Sequence, residues 1–560
     1  FLSPKYRHYG SSQSGAGHSL CKRSSMIRLF ICLFTCTCFL IACNNLDTTE
    51  KKGKKVSSRN FSVTPRNAYS DLFLDSNAVE KFISEKKIPD SLSRRIRSFY
   101  NSRNFEFAWF SSDGLTEQAR GFWNLHNHYT SSTDDTLLEN KQLQKRMDRL
   151  VAQENIAPSA KNKNFIATEI QLTLHFITHT LLAYDREYVK RKEMERFVPA
   201  KKVDAIYLAD SLLKKKHKDD KYYEDVNPSY GLLKEQLAIY HNIQANGGWP
   251  GVTANKKYKK GSSHPGIVSI KKRLQLTDGF PVADSSQVFN DTLEMAIKRF
   301  QQRHGLSADG MPGETTIHEM NVPVERRIQQ ILINMDRMRW LPQQAKGRMI
   351  LVNIPAFILH VKDGDKNVFD MDVVVGKGGH DTRIFTGNLN QVVFSPYWNV
   401  PESIVEKEIL PAIEKDPDYL EKENMEITGE KDGIPEIRQL PGEKNALGKV
   451  KFLFPNSFNI YFHDTPSKSL FKKDKRAFSH GCIRLSDPEK MAAYLLQDHP
   501  GWDAEKIREA MNKGEEKFVK LKEPVPVLIT YYTAWVENGE LNFREDIYGH
   551  DEQLISKMFL

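Results

Sequence analysis

Cys482 stands apart from the other five cysteines of this 560-residue chain. It lies in RAFSHGCIRLSDPEK, residues 476–490, whereas Cys21, Cys32, Cys36, Cys38 and Cys43 all fall within the first 43 residues. A thiol becomes a nucleophile when its thiolate is populated, which takes a nearby base or positive charge. Two histidines are candidates for that base. His480 is two residues from the thiol, and His463 lies in NSFNIYFHDTP, residues 456–466. That segment alternates: Phe458, Ile460 and Phe462 point one way, and Asn459, Tyr461 and His463 the other. If the apolar set faces a core, Tyr461 and His463 share the open face of a strand, where a base for Cys482 could sit. Gly481 lets the backbone come close to a substrate, so the amides of Gly481 and Cys482 can point at a developing oxyanion. The competing reading of Cys482 is a small buried hydrophobe.

The compartment sharpens the question. Residues 26–43, MIRLFICLFTCTCFLIAC, have a short basic start and a 13-residue apolar run, Leu29 to Ile41. That length suits a secretory signal and is too short to span a bilayer. Its end, LIAC, resembles the lipobox of bacterial lipoproteins, which implies cleavage before Cys43 and lipidation of that thiol; an ordinary signal peptide is the alternative. Residues 1–25 precede the first suitable start and are expected to be absent from the mature protein, as is the rest of 1–42. Cleavage would leave Cys482 as the sole free thiol, with no disulfide and no multi-cysteine metal site available. Five basic residues and no acids lie in residues 1–42, so the net charge of +10 falls to about +5 for the mature chain. That is mild and gives no argument for a nucleic-acid partner, and none is expected. Residues 43–70, with KKGKK at 51–55, read as a polar tether. The implied location is a bacterial membrane, by one lipid anchor, facing the periplasm or cell wall.

Several elements must position the chemistry. Residues 71–260 read as a helical scaffold domain. EIQLTLHFITHTLLAYDREYV, from residue 169, places Ile170, Leu172, Leu174, Ile177, Leu181 and Leu182 mostly on one broad face. His175 and His179 are four apart there, but no Glu follows the first and no third ligand is evident, so they are read as packing residues and no metal site is assigned. KKKHKDDKYYED at 214–225 reads as an exposed loop, and NGGWPG at 246–251 marks a boundary. In residues 261–322, Ile267, Ile270 and Leu274, then Leu293, Ala296, Ile297 and Phe300, fall at helical spacing. FQQRHGLSADGMPGETT, residues 300–316, follows, with Thr315 and Thr316 placed to help start the next helix. Residues 323–346 read as a linker helix. From 347 to 551 the pattern turns to strands, with an Asp-Gly-Asp-Lys-Asn turn at 363–367 and an Asn538-Gly539 hairpin signal near the end. Residues 402–450 are charged, helical and loop-like, as an insertion into the β domain would be. VVGKGGHDT, residues 374–382, fails as a phosphate loop because Met371 stands where the earlier glycine would be.

Two resemblances give these elements meaning. FQQRHGLSADGMPGETT matches every position of F-Q-x-x-x-G-L-x-x-D-G-x-x-G-x-x-T and resembles the three-helix peptidoglycan-binding domain, which implies that fold and either glycan binding or a spacer role. His463 and residues 479–484 spell H-x15-S-H-G-C-I-R and resemble the L,D-transpeptidase (YkuD-like) catalytic domain. HDTPSKSLF, FSPYWNVPESI, TAW and DIYG extend the likeness to the large branch of that family, over about residues 70–550. The fold implied is multidomain α+β: a helical scaffold, a three-helix peptidoglycan-binding domain, and a mostly-β catalytic domain with a capping insertion. Thr382-Arg383-Ile384-Phe385 departs from the Thr-Pro-x-Phe of many relatives.

The activity implied is 3→3 cross-linking of peptidoglycan, without a cofactor. Cys482 would attack the carbonyl between the third and fourth residues of a tetrapeptide stem, releasing D-Ala, and a diamino-acid amine of a second stem would resolve the thioester. His463 would be the base in both halves, oriented by a carbonyl near Asp464. Gly481 and Cys482 amides, helped by the Tyr461 hydroxyl, would serve the oxyanion. Arg484 is either a carboxylate clamp or loop brace, or else half of a structural salt bridge, and Trp398 either lines the cleft or packs inward. His480 ranks second to His463 as base, with a structural hydrogen bond as its other role. The partners implied are peptidoglycan stem peptides, glycan and the membrane. Two rival readings stay open: an L,D-carboxypeptidase or cross-link hydrolase using the same nucleophile, and a non-catalytic wall-binding lipoprotein.

Overall fold

The computed structural model describes residues 55–133, 136–153, 156–183, 197–214, 228–341, 347–364 and 366–560. The expected signal segment, Cys43 and nearly all of the 214–225 segment lie outside the described residues. Five helices build the first part of the scaffold: Ser76–Glu85, Asp90–Ser102, Glu117–Ser132, Lys141–Ala152 and Lys163–Ala183. Asp75, Thr116 and Asn140 cap three of them, each side-chain oxygen accepting an otherwise unpaired amide of the first turn. A short hairpin, β1 (Phe110–Ser111) and β2 (Gly114–Leu115), sits among them over a core of Phe99, Trp109, Phe122 and Phe176. The helix Lys163–Ala183 departs from the one-face expectation. Thr168, Glu169, Thr173, His175, His179 and Thr180 are buried together with Ile170, Leu172, Ile177 and Leu181, so the helix is enclosed around most of its circumference. Its polar groups are satisfied internally: Glu169 accepts the amides of Ala108 and Trp109, at 2.7 and 3.0 Å.

Helices Gly266–Thr277, Asp291–Arg303 and Glu314–Asn321 form a unit with its own core of Ile267, Ile270, Leu274, Leu293, Ile297 and Phe300. Its glycine-turn pattern is read by one side chain. Gln301, buried, donates to Asp309 (2.7 Å), Met311 O (3.0 Å) and Thr316 Oγ1 (3.1 Å), and accepts the Gly310 amide (2.8 Å). Thr316 therefore serves Gln301, not the start of the last helix, whose cap is Gly313 without a side-chain bond.

The helix Val324–Met338, expected as a linker, is a hub instead. Twelve of its residues are buried, among them Arg327, Asn334, Asp336 and Arg337. Arg337 bonds Glu117 of the scaffold (2.6 Å) and Asp551 near the chain end (2.6 Å), and Asn334 and Gln330 hold Thr533. Helices Ala205–Lys214, Pro228–Ala245 and His550–Met558 share its core.

The last part of the chain is a closed barrel. Strands β3 (Arg348–Asn353), β4 (Ile358–Asp363), β5 (Lys366–Gly376) and β6 (Phe385–Phe394) lead to a cap, then to β10 (Val450–Leu453), β11 (Phe462–His463), β12 (Ala477–Ser479), β13 (Ile483–Leu485) and β14 (Lys517–Thr530). Hydrogen bonding runs β5-β13-β11-β10-β6-β14-β3-β4, and β4 pairs back onto β5, with β12 added parallel to β5. Closure removes every edge but that one, and the interior fills with Val352, Leu359, Val373, Val392, Phe452, Phe462, Ile483 and Val527. The expected terminal hairpin exists as β15 (Ala534–Glu537) and β16 (Glu540–Phe543), with Asn538 and Gly539 both at positive φ, but it packs on the hub helix rather than in the barrel.

β6 and β10 pair directly, so the segment between them is an insertion, as expected. It contains strands that the loop-like reading missed: β7 (Trp398–Asn399), β8 (Met425–Lys431) and β9 (Ile434–Gln439) make a three-stranded sheet with a separate core of Val400, Ile404, Val405, Ile409 and Ile437. Asp432-Gly433, both at positive φ, is the turn signal that could have revealed the hairpin.

Candidate active site

β11 and β13 run parallel, with Phe462 opposite Ile483 and His463 opposite Arg484. Phe462 and Ile483 are fully buried in the barrel core. Side chains alternate along a strand, so Tyr461, His463, Cys482 and Arg484 must share the other face. The Ile483 amide donates to Tyr461 O at 3.2 Å and extends the register one step, setting Tyr461 beside Cys482. Only Phe462 and His463 hold strand geometry; Asn459 lies at φ 55°, so the alternation expected from 458 holds from Ile460 onward.

His463 is buried, and its Nδ1 donates to Asp464 O at 2.5 Å, which leaves Nε2 as the ring's proton acceptor. Asp464 is itself held by the Lys449 amide (2.9 Å) and by Lys468 (2.6 Å). Burial, then the Arg484 charge, pushes the imidazole down to about 3, against the opposing pull of Asp464. Burial pushes the Cys482 thiol up to about 11, while the Tyr461 amide and hydroxyl and the Arg484 charge pull it down. At neutral pH the resting pair is thus a thiol and a neutral imidazole. The thiol faces Asn459 O at 3.6 Å, and no His463–Cys482 hydrogen bond forms among the described residues. Catalytic contacts commonly tighten only when substrate binds.

Gly481 differs from expectation. Its amide donates to Ser479 Oγ (3.2 Å), and Ser479 Oγ donates to Cys482 O (2.5 Å), so the tight turn uses the Gly481 N–H for its own closure. The Cys482 amide has no hydrogen-bond partner among the described residues and is the backbone donor left for an oxyanion. Gly481 itself sits at φ 112°, where a side chain would be strained. Its carbonyl accepts from Thr382 Oγ1 at 2.8 Å, and Thr382 Oγ1 accepts the Gly376 amide at 2.9 Å. A Cβ on Gly376 would lie 2.0 Å from His380 O, so the 376–382 loop closes on the motif only because that residue is glycine. Tyr548 braces the same loop, donating to Gly376 O at 2.6 Å. Thr382 and Tyr548 escaped sequence reasoning, although the glycines of VVGKGGHDT were the visible sign of a close backbone approach.

Arg484 is half-buried with an unpartnered Nε, and it makes no ion pair with a carboxylate among the described residues. The salt-bridge role is therefore not the one the structure gives it. Trp398 lies in the cap sheet opposite Gln439 and packs partly against the cap core, the inward alternative. His480 does not face His463; its Nε2 is 2.9 Å from Glu408 Oε1 in the cap, and its ring meets His380 at 4.9 Å. His175 and His179 stay inside the scaffold, where His175 Nδ1 lies 3.3 Å from His126 Nε2. His360, Asp370 and Glu537 bring potential ligand atoms within 4.8 Å, but His360 and Asp370 already share a 2.6 Å hydrogen bond.

Comparison with known proteins agrees with this layout. Residues 347–527 match the family model described as L,D-transpeptidase catalytic domain, residues 94–237 the one described as Scaffold domain, and residues 263–320 the one described as "Putative peptidoglycan binding domain". A Haemophilus influenzae protein named "Putative L,D-transpeptidase" is 32% identical over 243 residues, 40% of this chain and 49% of the relative, so the match spans about half of that protein. Among solved structures, an L,D-transpeptidase from Stackebrandtia nassauensis aligns with 17% identity, 50% of this chain, 97% of its own and a TM-score of 0.22. One from Mycobacterium smegmatis aligns with 14% identity, 33% and 58% coverage and a TM-score of 0.19.

Proposed function

With residues 347–527 an L,D-transpeptidase catalytic domain, we propose that the protein forms 3→3 cross-links in peptidoglycan through a thioester on Cys482. The observation that carries this reading is the four-residue face of His463 and Arg484 on two paired strands with Tyr461 and Cys482 just before them. In the first half-reaction His463 Nε2 takes the thiol proton as sulfur adds to the carbonyl between stem residues three and four. The Cys482 amide and the Tyr461 hydroxyl bear the oxyanion, and His463 returns the proton to departing D-Ala. The free guanidinium of Arg484 suits a stem carboxylate. A diamino-acid amine of a second stem then takes the acyl group. The 263–320 unit serves as a glycan-binding module, and lipidated Cys43 anchors the protein to a membrane facing the cell wall.

The product pattern tests the proposal. Purified protein given tetrapeptide muropeptides is expected to yield D-Ala and 3→3 dimers, identified by mass spectrometry. D-Ala with tripeptides alone would replace transpeptidation by L,D-carboxypeptidation, and no turnover would favour a wall-binding protein.

A further inference from the structure

The second half-reaction poses a problem that the His463 face does not solve. An acceptor amine arrives as an ammonium and must lose a proton before it can attack. In the first half-reaction His463 can pass its proton to departing D-Ala, but in the second the proton must reach solvent, and His463 is only 4% exposed. A second, differently built imidazole stands two residues along the chain from the nucleophile.

His480 lies two residues before Cys482 and is open to solvent, with its side chain 31% exposed. Its Nε2 is tied to Glu408, and its Nδ1 has no hydrogen-bond partner among the described residues. A carboxylate on one ring nitrogen fixes the tautomer with the proton there and leaves the other nitrogen as acceptor. Glu408 comes from the cap, in a π-helical stretch, Val405–Ile409, that interrupts its helical segment. Ile404, Val405 and Ile409 are buried in the cap core while Glu406, Lys407 and Glu408 are exposed, so this stretch turns Glu408 out towards the motif. Only one Glu408 oxygen meets His480, and its side chain is 51% exposed. The groups facing His480 are Glu408 from the cap and Lys377 and His380 from the 376–382 loop; burial, Lys377 and His380 favour the neutral ring, against the pull of Glu408. Tyr419 is the further cap group that senses Glu408.

We propose that Glu408 and His480 form the acceptor site, where the cap carboxylate holds the incoming ammonium and His480 Nδ1 takes one of its protons. This rests on the transpeptidase reading. The amine lone pair forms the C–N bond to the thioester carbonyl, the C–S bond breaks, and the Cys482 sulfur takes the second amine proton as it leaves. His480 then releases its proton to solvent. Acylation belongs to the barrel face and capture to the contact between cap and motif.

The experiment separates the two halves. The donor is a tetrapeptide muropeptide whose diamino-acid side-chain amine is acetylated; the acceptor is a free tripeptide muropeptide. For Glu408→Gln the acceptor KM is expected to rise about tenfold, and for His480→Gln the cross-linking rate is expected to fall at least about twentyfold with loss of its pH dependence. Both variants should still load Cys482, with acyl-enzyme accumulating by intact mass. Cross-linking at the wild-type rate in both variants would overturn the proposal. So would a loss of acyl-enzyme formation in the same proportion as cross-linking, which marks a structural contact. Wild type that loads the donor but never cross-links would instead overturn the transpeptidase reading and this inference with it.

Discussion

His175 and His179 in the scaffold and His463 in the barrel are held at nearly the same low pKa, about 3, and burial is the chief cause for each. Their surroundings differ. The scaffold pair sits on one helix among aromatic rings, His175 against His126 and His179 against Phe122 and Tyr129. His463 has one nitrogen fixed by Asp464 O, and it shares a strand face with a thiol, a hydroxyl and an unpaired guanidinium. A depressed histidine pKa therefore reports burial and says little about chemistry. What marks a working imidazole is a free nitrogen beside groups that can react.

Substitution should separate the clusters most sharply. His463→Ala is expected to slow loading of Cys482 about 10³-fold, the usual scale for losing a general base, whereas His175→Phe leaves it within about twofold. Timed intact-mass spectra check both; equal losses would erase the distinction. Arg484→Leu comes next. Without that charge the His463 and Cys482 pKa values both rise, because the cation disfavours imidazolium and favours thiolate. Loading should fall about tenfold and its rise with pH should move to higher pH, followed by iodoacetamide labelling of Cys482 from pH 6 to 10.

The smallest effect is on stability. A histidine whose folded pKa lies below its unfolded value of 6.5 loses stability as pH falls, because only the unfolded chain takes up the proton. By pH 5 each of His175 and His179 should cost about 2 kcal/mol. Glu106 and Glu169, raised to about 8 and about 7 by burial, act oppositely and lose stability as pH rises from 4.5 towards those values. The readout is therefore a difference: His179→Phe should lose less stability than wild type between pH 7 and pH 5 in denaturant melts. Parallel curves would show that the buried ring is not the proton acceptor.

Much of this was legible in the chain itself. The H-x15-S-H-G-C-I-R spacing singled out His463 and Cys482, whose segments the fold sets on neighbouring parallel strands, and Ile460 to His463 alternate as a strand should. The glycine-turn pattern of the three-helix unit was legible because one side chain, Gln301, reads nearly all of it. What stayed hidden depends on distant partners. Thr382 and Tyr548 brace the motif from elsewhere in the chain, and Glu408 reaches His480 from the inserted cap; only Ser479, which consumes the Gly481 amide, is local. The hub helix Val324–Met338 looked like a linker because its buried Arg327, Asn334, Asp336 and Arg337 read as surface residues until their partners are known.

The central claim is that the Tyr461–His463–Cys482–Arg484 face makes Cys482 an acylating nucleophile. Intact-mass spectrometry with tetrapeptide donor tests it most directly. Wild type should carry a tripeptide acyl adduct, mapped to Cys482, with equimolar D-Ala, and Cys482→Ser should carry none. D-Ala release without a Cys482 adduct, or an adduct that survives in Cys482→Ser, would contradict it.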